Sequence, residues 1–452
     1  MKHNDISKTM KQFENNSVMD EKEERTSLLP TSNTSPRSRR SLQRFTKHYW
    51  KNVELRLLLN ILFLGLALTI LSLYLLISSY FFPSRPSISN LESCAWKTLK
   101  VHVPLLDVPP ITPEEFISRQ SILASILNEA GIDAFIAEPS ASSSYFANIS
   151  SSYELSERPF LMILDKEGQF SYLAPKFELG RIAGLDMVYE SKRVIEWHEE
   201  ESPYEALSRA TGFKKIMLDE HARFMIASGL GKAGIEVVET SETVQSIRAV
   251  KSDAELKILR GVNEFTVELV RSMQKCIKVG VSQETVVSAA KALFTRAGAG
   301  KGFWAIVLFG EQAANPHGGS LGKTLSDGEF LLMDIGTSLH GYGSDVTRTF
   351  LPSKSKVSRE LTDIWHLVHD AQSAAIGRMK VNETCSVVDT TSREIIKSAG
   401  YGEFFTHRLG HGLGLEMHEH PYLNGANDEK LKAGQVVTNE PVRINFYCLI
   451  RR

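Results

Sequence analysis

Residues able to do chemistry crowd into the last third of the chain. The run Phe405-Thr-His-Arg-Leu-Gly-His-Gly-Leu-Gly-Leu-Glu-Met-His-Glu-His-Pro421 packs His407, His411, His418 and His420 into fourteen residues, in a chain with thirteen histidines. That clustering favours a metal or proton-handling site over scattered surface imidazoles. It is not a zincin helix, because Arg408 stands where HExxH needs its Glu, and Gly410, Gly412 and Gly414 argue against a helix. Upstream, Phe330-Leu-Leu-Met-Asp-Ile-Gly336 and Ser344-Asp-Val-Thr-Arg-Thr-Phe350 each set one Asp in an apolar segment. Both read as strands, joined by a short turn through Leu339-His340. In a symmetric two-residue hairpin about that turn, Asp334 and Asp345 face each other directly on one side of the sheet. Opposed Cβ atoms lie about 4.5–5.5 Å apart, and like charges there are destabilising unless a cation sits between them. Downstream, Val436-Val-Thr-Asn-Glu440 reads as an apolar strand that ends on Glu440, before Pro441. Two Asp, a His and a Glu form a hard, oxygen-rich set, suited to manganese, or to zinc or cobalt, better than to copper or an iron–sulfur cluster. Carboxylates that bridge point to two metals about 3.5–4 Å apart, sharing a water made nucleophilic at neutral pH.

Two other patterns are set aside. Gly318-Gly-Ser-Leu-Gly322 fits the G-x-S-x-G nucleophile elbow, but the elbow needs a strand before it and a helix after it. Here Asn315-Pro precedes, and a polar turn leads into a strand. A P-loop is excluded near Gly298, because Lys301 is followed by Gly302 and not by Ser or Thr.

Taken in order, Asn315-Pro-His317, Met333-Asp-Ile-Gly336, Gly343-Ser-Asp-Val-Thr-Arg348, His407-x3-His411-Gly-x-Gly414, His418-Glu-His-Pro421 and Thr438-Asn-Glu-Pro441 resemble the pita-bread metallopeptidases, in their aminopeptidase P and prolidase branch. The resemblance spans about 111–441, and block 111–245 is similar to the creatinase-like N-terminal domain of that branch. It implies an α+β pita-bread catalytic domain behind a smaller α/β domain. It also implies two divalent metal ions, usually manganese, and hydrolysis of Xaa-Pro bonds in a proline-containing peptide. Asp334, Asp345, His411 and Glu440 match metal ligands, with Asp334 bidentate to one metal and Asp345 bridging both. Glu440 also matches the proton carrier. His317 and His418 match histidines that orient substrate and stabilise the tetrahedral intermediate, and His407 matches a substrate-side histidine. After Glu440-Pro441 the family pattern continues with Gly and with strands that carry a bridging Glu. Here the chain reads Val-Arg-Ile-Asn-Phe-Tyr-Cys-Leu-Ile-Arg-Arg, so a C-terminally truncated catalytic domain is expected. The alternative function is a catalytically impaired, partner-binding pita-bread protein.

The elements that must hold these residues are legible in outline. Pro113-Glu-Glu opens a helix with Thr112 as N-cap; Ile117, Ile122, Leu123 and Ile126 continue it, and Gly131 closes it. Strands follow at 134–137 and 160–164, and α/β alternation runs to about 240. A second unit begins near Ile247. Ser252 and Glu255 form a capping box, and helices follow at about 283–297, 360–379 and 386–398. Helices and strands without strict alternation argue for α+β.

Composition sets the frame. The 452 residues are 42% hydrophobic and 23% charged, with net charge −1, which excludes a disordered chain and gives no case for nucleic acid. Four cysteines in no CxxC pair exclude a disulfide scaffold and a zinc ribbon. The balance is uneven, however. Residues 1–56 hold twelve Lys/Arg against seven Asp/Glu, and the remainder holds 40 against 46. Ser- and Asn-rich, 1–56 reads as a disordered basic tail. Leu57–Phe82 is free of charge and longer than the about 20 residues a membrane helix needs. The basic flank before it places the N-terminus in the cytosol and the body across the membrane. A single-pass signal-anchored protein is therefore expected, with its body lumenal, vacuolar or extracellular. Sequons at Asn148 and Asn382 are compatible with that side. The expected order is tail 1–56, membrane helix 57–82, Pro/Ser-rich stalk 83–110, N-terminal domain 111–245 and catalytic domain 246–452, with a homodimer as the assembly.

Overall fold

The computed structural model describes residues 57–58, 60–74, 88–315, 318–319 and 321–441. The chain divides into two units, residues 1–84 and 85–452. In the first, residues 60–74 are helical and exposed. Among the described residues no helix is long and apolar enough to cross a membrane. The expected basic tail, and residues 59 and 75–82 of the expected span, lie outside the described residues.

The second unit begins with a correction. From residue 88 onward, the segment expected as a stalk is folded onto the body: helix α1, Ile88–Leu99, is followed by a 3-10 turn, Lys100–Leu106. Leu91, Ala95 and Leu99 repeat every four residues and are buried in one core with Phe265, Leu269 and Leu293. The prolines that suggested an extended chain flank this apolar stripe without interrupting it. Cys94 of α1 is disulfide-bonded to Cys276, 182 residues away.

Residues 113–249 form an α/β layer. Helix α2, Pro113–Glu129, starts at Thr112, whose side chain accepts the Glu115 N–H. Strands β1 Ala134–Ala137, β2 Leu161–Asp165, β3 Phe170–Pro175, β4 Lys192–Trp197, β5 Lys215–Leu218 and β6 Glu236–Glu239 form one mixed sheet, ordered β4-β3-β2-β1-β5-β6. Alternate residues face opposite sides. Phe135, Met162, Leu164 and Tyr172 pack on α2 and on α3, Ala141–Ala147. Ile136, Leu161, Ile163 and Leu173 pack on α4, Pro203–Thr211, and α5, Phe224–Lys232. Helix α6, Glu242–Ala249, leads out of this layer.

Helix α7, Asp253–Gln274, opens with the Ser252–Glu255 capping box and buries Ile258, Val262, Phe265, Leu269 and Met273. With α8, Gln283–Arg296, it covers one face of a three-stranded sheet. Its strands are β7 Trp304–Phe309, β8 Leu331–Gly336 and β11 Val346–Phe350, in the order β11-β8-β7. Between β8 and β11 a short hairpin pairs β9, Ser338–Leu339, with β10, Tyr342–Gly343. Helices α9, Arg359–Arg378, and α10, Cys385–Ser398, share a separate core with Leu409 and Leu423.

The hairpin register differs from expectation. Leu339 pairs with Tyr342, so the turn is His340-Gly341, and Asp334 pairs with Thr347. Asp345 falls level with Gly336, two residues along, on the same face as Asp334. The two carboxylates are diagonal neighbours and not direct opposites. The cause is local: His340 and Gly341 have φ of +50° and +87°, the type I′ combination that matches strand twist. A turn at Leu339-His340 would put a branched apolar residue at positive φ, where Gly costs least. Leu331, Met333 and Ile335 face α7 and α8. The opposite face of the sheet carries Asp334 and Asp345 beside Ile306, Leu308 and Leu332.

Candidate metal centre

Asp345, His411 and Glu440 come together on that face. One donor atom from each lies within 4.8 Å of the other two. His411 Nε2 is 2.9 Å from Glu440 Oε1 and 3.7 Å from Asp345 Oδ2. Three separate elements deliver them. Asp345 directly precedes β11. His411 sits in β12, Gly410–Gly412, which pairs with β13, Glu419–Leu423. Glu440 lies on the segment alongside β12, where Thr438 N–H donates to His411 O at 2.8 Å and Glu440 N–H to Leu409 O at 2.9 Å. That segment was expected as a strand; it makes isolated bridges, Val437 to Gly412 and Gln435 to Val250.

The set fits a divalent metal. His411 Nδ1 donates to the Gly412 carbonyl at 2.9 Å, which fixes the tautomer and turns the Nε2 lone pair toward both carboxylates. Two carboxylates and an imidazole form a hard-to-borderline donor set. Without an ion, burial opposes charge on both His411 and Glu440, but their mutual bond prevails. It holds the imidazole above its ordinary pKa and, with Thr438, the carboxyl below its own. A metal would replace that proton.

The remaining expected residues are placed as follows. Asp334 is buried in the middle strand of the sheet, at 4% exposure, on the face shared with Asp345. His418 is exposed, and its ring stands edge-on to His411 with centroids 4.2 Å apart. His407 lies against Phe405, donates Nδ1–H to Arg408 O at 2.6 Å, and is close enough to Glu440 to lower its pKa. His317 and residues 442–452 lie outside the described residues.

Supporting residues emerge that the sequence reading did not single out. Thr438 Oγ1 donates to Glu440 Oε1 at 2.8 Å and lies 3.0 Å from the His411 N–H, which donates to it. Asn263 of α7 accepts the Asp345 N–H at 3.1 Å. Asp389 of α10, fully buried, accepts two bonds from Arg393 and the Leu409 N–H, while Arg393 donates to the Phe405 and His407 carbonyls. Asp389 carried a signal: it shares a helix face with Cys385, Val388, Ser392 and Ile396, all buried, where a lone acid needs a partner.

A second group, Glu220, His221 and Glu416, also brings three donors together. It already holds a permanent cation in Arg248. His221 Nε2 is 2.6 Å from Glu416 Oε1, and Arg248 bonds Glu416 directly. It is an ion-pair network between the two layers.

Comparison with known proteins follows the same division. Residues 257–449 match the model of Metallopeptidase family M24, and 119–250 match the Creatinase/Prolidase N-terminal domain. An uncharacterized peptidase of Schizosaccharomyces pombe is 42% identical over 369 residues, covering 78% of this chain and 82% of that protein. A prolidase from Thermococcus sibiricus superposes with TM-score 0.66 at 26% identity, over 74% of this chain and 90% of that one. An Xaa-Pro dipeptidase from Bacillus anthracis superposes with TM-score 0.61 at 27% identity, over 73% and 90%.

Proposed function

The chain belongs to metallopeptidase family M24, and on that premise we propose that it is a membrane-anchored exopeptidase that hydrolyses Xaa-Pro bonds with two divalent metal ions. The observation that carries this reading is the convergence of Asp345, His411 and Glu440 on the sheet face that also holds Asp334. These four residues would hold the ions, with manganese favoured by the oxygen-rich set. Bound there, such ions supply Lewis-acid chemistry that makes water nucleophilic at neutral pH. Glu440, held ionised by His411 and Thr438, accepts the proton of the attacking water and returns it to the proline nitrogen as the peptide bond breaks. His418, at the exposed edge of the centre, donates to the oxygen that gains charge. His407 and His317 are assigned to the substrate side by the motifs they occupy.

The anchoring part of the proposal rests on the charge-free run Leu57–Phe82 and its basic flank. The Cys94–Cys276 disulfide supports a body in an oxidising compartment. The catalytic reading is tested with Ala-Pro and Ala-Pro-Ala as substrates, with and without manganese. Metal-stimulated release of alanine from either supports it, and the preferred substrate separates dipeptidase from aminopeptidase specificity. Asp345→Asn should lower kcat/KM at least about 100-fold, beyond the loss typical of a residue that only supports a ligand. Wild-type activity in that variant, or no cleavage of either substrate, would overturn the reading.

A further inference from the structure

His418 is the one described histidine of the centre that stands exposed, in the irregular stretch 413–418 between β12 and β13. A side chain that must meet substrate from such a loop needs the loop held. Two ion pairs, one buried and one partly buried, are placed to do this. Lys251 donates to Glu419, the residue next to His418, and to the Ala249 carbonyl at 3.1 Å. Arg248 bonds Glu416, two residues before His418, and stands 3.7 Å from Glu419 Oε2. Exposure of the four side chains is 8% for Arg248, 1% for Lys251, 22% for Glu416 and 6% for Glu419. The loop is wrapped on this anchor. The Glu416 N–H points to Glu419 Oε2 at 3.5 Å, and a Cβ on Gly414 would stand 2.6 Å from the Glu419 carboxylate. Arg248 is itself fixed from the N-terminal layer, donating to Ser142 Oγ at 3.0 Å, which in turn donates to Asp219 at 2.7 Å. His418, Arg248, Glu416 and Glu419 line one 200 Å³ cavity at this boundary, so the anchor and the histidine share a wall.

We propose that Arg248, in α6 of the N-terminal layer, and Lys251, in the connection that follows, are positioning residues that act on the reaction through His418. The proposal rests on the role given to His418 above. Lys251 and Glu419 are 1% and 6% exposed, and removing Lys251 leaves Glu419 charged and buried without its direct partner. The loop must then rearrange to hydrate that carboxylate, and it carries His418 with it. The N-terminal layer, which contributes none of the assigned metal ligands, thereby takes part in catalysis.

The test is a double-mutant cycle on manganese-dependent Ala-Pro hydrolysis, with Lys251→Met, His418→Ala and the double variant. Lys251→Met is expected to lower kcat about tenfold while KM stays within about twofold, as for an interaction made in the transition state. In the His418→Ala background the same change should cost nothing further. Losses that multiply across the cycle overturn the linkage, as does full kcat in Lys251→Met. Should Lys251→Met fail to fold, Arg248→Gln, which takes the cation from Glu416 and Glu419, replaces it with the same criterion. A His418→Ala variant of undiminished kcat would overturn the assignment of His418, a different failure from multiplying losses.

Discussion

At the boundary between the layers, the pair of His221 with Glu416 turns pH into stability. The Glu416 hydrogen bond raises the His221 pKa, against the effect of burial. Burial pushes Glu416 up, but His221 and Arg248 hold it below its ordinary value. A raised histidine contributes fully below about 6.5, its unfolded value, and loses that contribution as pH climbs through the folded value. A depressed carboxylate contributes fully above about 4.3 and loses its contribution as pH falls through the folded value. Both act together between those limits. His221→Gln should therefore lower Tm most near pH 5.5, with the gap to wild type narrowing by pH 9; a gap independent of pH would refute this. Legibility at this scale follows distance along the chain. Asp345, His411 and Glu440 were readable because residue type and motif spacing mark them. Arg248 and Lys251 were not, because each meets its glutamate 168 residues away and no local pattern joins them.

Among the elements, strands β8 and β11 beside Asp334 and Asp345 were foreseeable from their apolar residues, whereas β12, which carries His411, lay in a stretch read only as glycine- and histidine-rich. The capping residues Thr112 and Ser252 act as read. The hairpin was not foreseeable, because its register depended on which two residues accept positive φ. Choosing His340-Gly341 over Leu339-His340 moves Asp345 by two places, which leaves its face unchanged and its partner different. Helix α10 is the other case. Its buried Asp389 accepts the Leu409 N–H just before β12, so the helix helps to place His411 while supplying none of the assigned metal ligands. Asp389→Ala leaves Arg393 without its carboxylate and the Leu409 N–H without an acceptor. Arg393 is 30% exposed and regains water, so the cost is that of lost hydrogen bonds at a buried acceptor, about 1–3 kcal/mol. The expected result is a drop of that size in urea unfolding, with Tm lowered; a change under about 0.5 kcal/mol, typical of surface positions, would show the network is dispensable.

For the molecule as a whole, the proposed topology predicts that in sealed microsomes an added protease removes the N-terminal tail and spares the body. Digestion of the body in intact vesicles would reverse the assigned orientation. Helix α1 could not be foreseen as part of the body, since its contacts lie on α7 and α8, far along the chain, and the prolines around it suggested a spacer. Its cysteine has a further effect on how the protein comes apart. Glu154, Leu155, Ser156 and Glu157 are exposed in an irregular loop, where proteases cut readily. A nick there divides the polypeptide into a piece with Cys94 and a piece with Cys276, which the disulfide keeps as one molecule. Severed in this way, the catalytic half stays tethered to the half that bears the apolar segment, and only a reductant would set it free.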